Sequence, residues 1–117
     1  MDTRPLADEV EQALASRQAI ARAFSGREGG LTLADAYAVQ RELSHRRTAA
    51  GRRIVGRKIG FANKAVWRAL KLDTLVWAPM YDDTVRPADD RPLSLHGLWT
   101  PKIEPEIVFT CLLYTSD

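Results

Sequence analysis

The sequence predicts an α+β fold, a helical pair at the N-terminal side followed by a β-rich region. Three observations predict it. Apolar residues recur at helical spacing in two segments before residue 50. The texture changes at Arg53 to a short, β-branched, glycine-punctuated run. Prolines then crowd the stretch from Asp73 to Leu98, which has little sustained period. The organisation expected from these changes is a helical region over 1–52, the opening of a β-rich domain over 53–110, and a tail of different origin over 111–117.

The first helix is expected from about Leu6 to Phe24. Leu6, Val10, Leu14, Ala21 and Phe24 trace one stripe, which Ala13 and Ile20 widen. Pro5 suits the first turn, where its missing N–H costs nothing. Asp8, Glu9 and Glu11 fall toward the positive end of the helix dipole. Ser25, Gly26, Gly29 and Gly30 then break the helix. A second helix starts near Thr32, with Asp35 three residues on in a capping-box arrangement. Leu33, Ala36, Tyr37, Val39 and Leu43 lie along a face interrupted only by Gln40, and Gly51 is the expected stop. A short glycine loop between the two predicts an antiparallel pair.

Residues 54–61 read as a strand. Asn63 can cap a short helix carrying Val66, Trp67 and Leu70. From Asp73 to Leu98 the expectation is extended segments and turns, with a brief strand at Thr84-Val85. Lys102 to Phe109 is again strand-like. No internal repeat is present.

Composition excludes several classes. The net charge is +2, from seventeen bases against fifteen acids, so the surface is mixed rather than basic. The pairs Arg46-Arg47 and Arg52-Arg53 form a local basic cluster. It lacks the aromatic interleaving of a nucleic-acid surface and reads as a solvated helix end. No nucleic-acid partner is expected. Met1 to Val10 holds Asp2, Asp8 and Glu9 and no apolar run, so no secretory signal is read there. No stretch approaches the roughly 20 apolar residues of a membrane span. A cytoplasmic protein without a membrane partner is the expectation. Cys111 is the only cysteine, which leaves no disulfide framework and no cysteine-based metal site.

Three short motifs can carry chemistry. In Glu104-Pro105-Glu106 the two carboxylates, at i and i+2 of a strand, share a face about 7 Å apart and can converge on one hard cation. Pro105 donates no ladder hydrogen bond and puts this strand at an edge or a bulge, with Ile103, Ile107 and Phe109 packing on the other face. Lys58 shares a strand face with Gly56 and Gly60, which leave a hollow around the amine for a ligand or a backbone to approach. Such a lysine can bind a carboxylate or move a proton. Arg57 then falls on the apolar face with Val55 and Ile59, an anomaly unless a bulge shifts the register. In Tyr81-Asp82-Asp83-Thr84 an aspartate can act as general base, although the same tetrapeptide is commonly an ordinary turn. His45 and His96 have no ligand-spaced partners. No phosphate loop, dinucleotide fingerprint or Gly-x-Ser-x-Gly element occurs.

Four segments in order, residues 31–40, 55–61 (Val-Gly-Arg-Lys-Ile-Gly-Phe), 80–83 (Met-Tyr-Asp-Asp) and 101–107 (Pro-Lys-Ile-Glu-Pro-Glu-Ile), resemble the 2-keto-4-pentenoate hydratase and 4-oxalocrotonate decarboxylase group of the fumarylacetoacetase superfamily. The resemblance runs from about Leu31 to Phe109. It implies a fumarylacetoacetase-like mixed β catalytic domain behind the helical front part, and a homo-oligomer. It implies Mg²⁺ or Mn²⁺ held by Glu104 and Glu106, with a third glutamate that has no candidate here. It puts the family lysine on Lys58 and an aspartate on Asp82 or, with a one-residue shift, Asp83. The activity implied is hydration of 2-hydroxypenta-2,4-dienoate-type, 2-oxo-4-enoate substrates in aromatic-compound catabolism, with 2-oxo-acid decarboxylation as the alternative. Val76-Trp77-Ala78-Pro79 departs from the best-known hydratases and leaves substrate choice open. A carbon–carbon hydrolase would want a His–Glu pair that is missing. A basic binding module using Arg46, Arg47, Arg52 and Arg53 is the reading from a different class. The ending 111–117 resembles the read-through of a sequencing adapter, and on that reading this chain by itself is inactive.

Overall fold

A computed structural model describes residues 2–71 and 73–111. The adapter-like residues 112–117 therefore lie outside the described residues. The chain is α+β and divides into two compact units, Met1–Ala50 and Gly51–Asp117.

The first unit holds α1 (Arg4–Ser16), a single 3₁₀ turn (Phe24–Gly26) and α2 (Leu33–Ala49). Pro5 stands in the first turn of α1, as its chemistry favours. The helix stops well before the expected Phe24. Arg17 adopts a left-handed conformation at φ 54°, the Gln18 N–H reaches the Ala13 carbonyl at 3.1 Å, and the Arg17 N–H reaches Leu14 at 3.4 Å. This is a Schellman closure made without glycine, helped by the Ser16 hydroxyl donating to the Gln12 carbonyl at 2.8 Å. No residue type at this point announces the stop. The apolar stripe loses its second half, and Leu14 is left 66% exposed.

α2 begins as the sequence predicts. The Asp35 N–H donates to Thr32 Oγ1 at 3.1 Å, and the Thr32 N–H donates to Asp35 Oδ2 at 3.0 Å. It closes through Ala50 to Gly51, whose φ of 88° suits a residue without a Cβ. The core of this unit is small, centred on Ala7 and Val39. Its ion pairs are more extensive. None of the acids expected near the dipole stands in the first turn of α1. Asp8 and Glu11 instead meet Arg46 Nη1 at 2.7 Å each, while Glu42 meets Arg46 Nε at 2.8 Å. Glu9 holds Arg27 in a two-pronged pair at 2.6 and 2.7 Å. Arg46 stands in the last turn of α2, as expected of a helix-end base, but is paired rather than solvated. Its guanidinium joins the first half of α1 to the last turns of α2, and these three carboxylates raise its pKa above the ordinary arginine value.

The second unit is a three-stranded antiparallel sheet in the order β2-β1-β3, with β1 (Ile54–Gly60) central, β2 (Val76–Tyr81) and β3 (Ile107–Thr110) outside, and α3 (Lys64–Leu70) between β1 and β2 in the chain. β1 ends one residue early because Phe61 turns to φ 55°, its carbonyl accepting from the Trp67 indole N–H. Asn63 caps α3, accepting the Ala65 N–H at 2.8 Å. The strand expected at Thr84-Val85 is in fact β2. Pro79 suggested a break, but β2 is an outer strand, where a missing N–H is tolerated. Thr84 and Val85 belong to the turn after β2, both backbone N–H groups donating to the Tyr81 carbonyl at 3.0 Å.

The register on β1 shifts between Ile54 and Gly56, a bulge that lets the successive residues Val55 and Gly56 both be buried. Arg57, whose place beside Val55 called for such a shift, is thereby freed from strict alternation with it. It lies across from Pro79 with its guanidinium over the Trp77 ring, 5.2 Å from the centroid, and remains exposed. β3 is shorter than expected: the ladder begins only at Ile107, two residues past Pro105. Ile103, Ile107 and Phe109 do not pack. They are 96%, 56% and 63% exposed.

Candidate functional site

Alternation along β1 puts Lys58 on one face with Gly56 and Gly60, and the cross-strand partners add Ala78 and Met80 from β2 and Val108 from β3. An open cleft of about 520 Å³ opens here, lined by Lys58, Pro79, Met80, Thr84, Val85, Arg86, Glu104, Glu106 and Val108. Both carboxylates of Glu104-Pro105-Glu106 therefore reach one space, although the segment precedes β3 rather than lying in it.

The two glycines have different neighbours. A Cβ added at Gly56 would sit 2.5 Å from the Phe109 carbonyl oxygen and 3.3 Å from Thr110 Cα. Gly56 is thus what lets the β3 backbone close on β1. At Gly60 the same atom would meet Val76 Cγ2 at 3.3 Å and Glu106 Oε1 at 3.5 Å. The hollow around Lys58 is filled by a strand on one side and by a carboxylate on the other. The Lys58 ammonium donates to Glu106 Oε2 at 2.7 Å, with the Glu106 side chain 19% exposed and that of Lys58 44%. The lysine thus places a cation beside this partly buried carboxylate.

No family model matches the chain. Individual relatives do. The chain is 42% identical over 76 residues to a 2-keto-4-pentenoate hydratase of Paraburkholderia xenovorans (strain LB400), covering 64% of this chain and 28% of that enzyme. It is 31% identical over 104 residues to a 2-hydroxypent-2,4-dienoate hydratase of Pseudomonas putida, covering 89% of this chain and 46% of the relative. With a 4-oxalocrotonate decarboxylase of Pseudomonas sp. (strain CF600) it shares 35% identity over 79 residues, 68% of this chain and 30% of that enzyme. Over these stretches the chain is similar to enzymes of the 2-keto-4-pentenoate hydratase and 4-oxalocrotonate decarboxylase group. It spans less than half the length of these curated relatives.

Of the residues that the likeness to this hydratase–decarboxylase group singles out, the structure gathers Lys58, Glu104 and Glu106 at one cleft and leaves two elsewhere. Asp82 and Asp83 do not line it. The Arg53 backbone N–H donates to Asp82 Oδ1 at 3.1 Å, and Arg53 Nε lies 3.3 Å from Oδ2. These contacts, the backbone N–H foremost, hold the Asp82 carboxyl below the usual carboxylate range. Asp83 Oδ2 is 3.4 Å from Arg52 Nε. The physical reason is the turn over residues 82–84, which directs both carboxylates toward the residues leading into β1. They fasten the turn, and Arg52 and Arg53 are taken up in doing so. What sequence reasoning missed is Arg86, carried into the cleft with Thr84 by that turn. Hard oxygen donors on one wall suit Mg²⁺ or Mn²⁺. Among the described residues no cluster of three or more His, Cys, Asp or Glu could hold a metal, so these two carboxylates fit part of a coordination shell. No helix among the described residues is long and apolar enough to cross a membrane.

Proposed function

We propose that these residues form the cation-and-lysine wall of a divalent-metal-dependent hydratase acting on 2-hydroxypenta-2,4-dienoate-type substrates, on a fumarylacetoacetase-like domain. The observation that carries the reading is the convergence of Lys58, Glu104 and Glu106 on one cleft in a chain related to enzymes of that name. Glu104 and Glu106 would hold Mg²⁺ or Mn²⁺, with water and substrate oxygens completing the shell. When bound, the cation supplies Lewis-acid stabilisation of negative charge on the 2-oxo acid end of the substrate. Lys58 pairs with Glu106, and its ammonium can hydrogen-bond the substrate carboxylate or pass a proton to the diene as water adds. Asp82 and Asp83 act at a distance, by fixing the turn that forms part of the cleft wall. Decarboxylation of a 2-oxo acid is the second reading, favoured by the relative named for 4-oxalocrotonate.

The test follows loss of the conjugated 2-hydroxypenta-2,4-dienoate chromophore by the whole protein with Mg²⁺, and again after chelation. Metal-dependent loss with a hydrated product supports the proposal. CO₂ release from 4-oxalocrotonate without hydration selects the decarboxylase. Metal-independent turnover contradicts both.

A further inference from the structure

Resting on that reading of the cleft, the geometry points to Arg86 as the residue that selects a second, distal carboxylate, making the preferred substrate a dicarboxylic 2-oxo-enoate rather than a monocarboxylic one. The cleft holds two bases and two acids. They are not equivalent. Lys58 is neutralised by Glu106 at 2.7 Å. Arg86 makes no ion pair or hydrogen bond among the described residues, and it is exposed. Arg52 and Arg53, by contrast, are taken up by Asp83 and Asp82.

The turn that delivers Arg86 is well fixed. The Thr84 and Val85 N–H groups share the Tyr81 carbonyl at 3.0 Å, the Thr84 hydroxyl donates to it at 3.1 Å, and the Asp82 N–H reaches the Arg53 carbonyl at 3.0 Å. An arginine at the edge of an open cleft, on an anchored turn and without an internal partner, suits a planar carboxylate in two-pronged contact. Charge points the same way. The acids and bases of the cleft cancel, so a divalent cation leaves two positive charges, which match a dianion. Without Arg86 only one would remain, which matches a monoanion.

The test is calorimetric binding of unreactive saturated 2-oxo acids to the whole protein with Mg²⁺: 2-oxopentanoate, with one carboxylate, against 2-oxohexanedioate and 2-oxoheptanedioate, with two. At least one diacid should bind about tenfold or more tightly than the monoacid, the scale of a charge-assisted hydrogen bond. Arg86→Met should abolish that preference, lowering diacid affinity far more than 2-oxopentanoate affinity, and Arg86→Lys should keep part of it. Equal binding of mono- and diacids by the wild type overturns the role of Arg86 while the 2-oxo-acid cleft stands. So does a preference that survives in Arg86→Met. Failure of every 2-oxo acid to bind overturns the reading of the cleft, and this inference with it.

Discussion

Replacing Gly56 by alanine tests how the site is assembled. Neither Gly56 nor Gly60 has positive φ, so alanine suits the backbone at both places and only the added methyl matters. At Gly56 that methyl would lie 2.5 Å from the Phe109 carbonyl oxygen, roughly 1 Å inside a normal contact. The obstacle is backbone, held by the antiparallel ladder and by the Cys111 N–H donating to the Val55 carbonyl at 2.8 Å, so β3 itself must move. Overpacking of this kind costs about 1–3 kcal/mol, offset by about 0.4–1 kcal/mol from the stiffer unfolded chain. With a urea slope of about 1–3 kcal/mol/M, the unfolding midpoint should fall by roughly 1 M. Gly60→Ala is the control. Its methyl is crowded most by the side-chain atoms Val76 Cγ2 and Glu106 Oε1, which can yield, with the Val76 carbonyl oxygen at an ordinary 4.0 Å, so stability should change by less than about 0.5 kcal/mol. Urea unfolding of the two variants decides it. A Gly56→Ala protein as stable as wild type, or Gly60→Ala as the more damaged of the two, would refute the claim that Gly56 admits β3.

Thr32→Ala removes the reciprocal cap of α2 and should cost about 1 kcal/mol in thermal or urea unfolding, with Thr32→Asn close to wild type. Arg46→Met takes a shared guanidinium from Asp8, Glu11 and Glu42 and should lower the melting temperature of the helical unit by circular dichroism, the loss shrinking in high salt. Asp82 has a depressed folded-state pKa, so its contribution is full above the unfolded carboxyl value near about 4 and is lost as pH falls through the lower folded value. Asp82→Asn should therefore destabilise at pH 7, differ progressively less from wild type in acid unfolding, and leave metal affinity unchanged. An unaltered acid profile in that variant would contradict the anchoring role.

The capping chemistry was the most legible part of the fold. Thr32 with Asp35, Asn63, and Gly51 each act locally, through groups within a few residues, and each forms the contact its residue type favours. The stop of α1 was not legible, because arginine rather than glycine takes the left-handed position. β2 was hidden by Pro79, whose tolerance depends on β2 being an outer strand, a property of the sheet rather than of the segment. At the site, the strand period gave Lys58 its face and its glycine neighbours. The placement of Asp82 and Asp83 turned on where a four-residue turn points, and the periodicity carries no information about that. Arg86 was missed for the same reason. It stands in no motif, and only the fold-back onto Tyr81 brings it to the cleft.

Metal titration of the whole protein, with Mn²⁺ binding read directly alongside turnover, tests the central claim. Glu104→Gln and Glu106→Gln keep side-chain size and remove a charged ligand, so affinity should fall in both and excess Mg²⁺ or Mn²⁺ should restore part of the activity. Lys58→Met removes the ammonium 2.7 Å from Glu106, a cationic competitor for that carboxylate. Metal affinity should then be unchanged or higher, while activity drops without rescue by added metal. Wild-type metal affinity in both glutamine variants, with the loss found in Lys58→Met instead, would contradict the assignment.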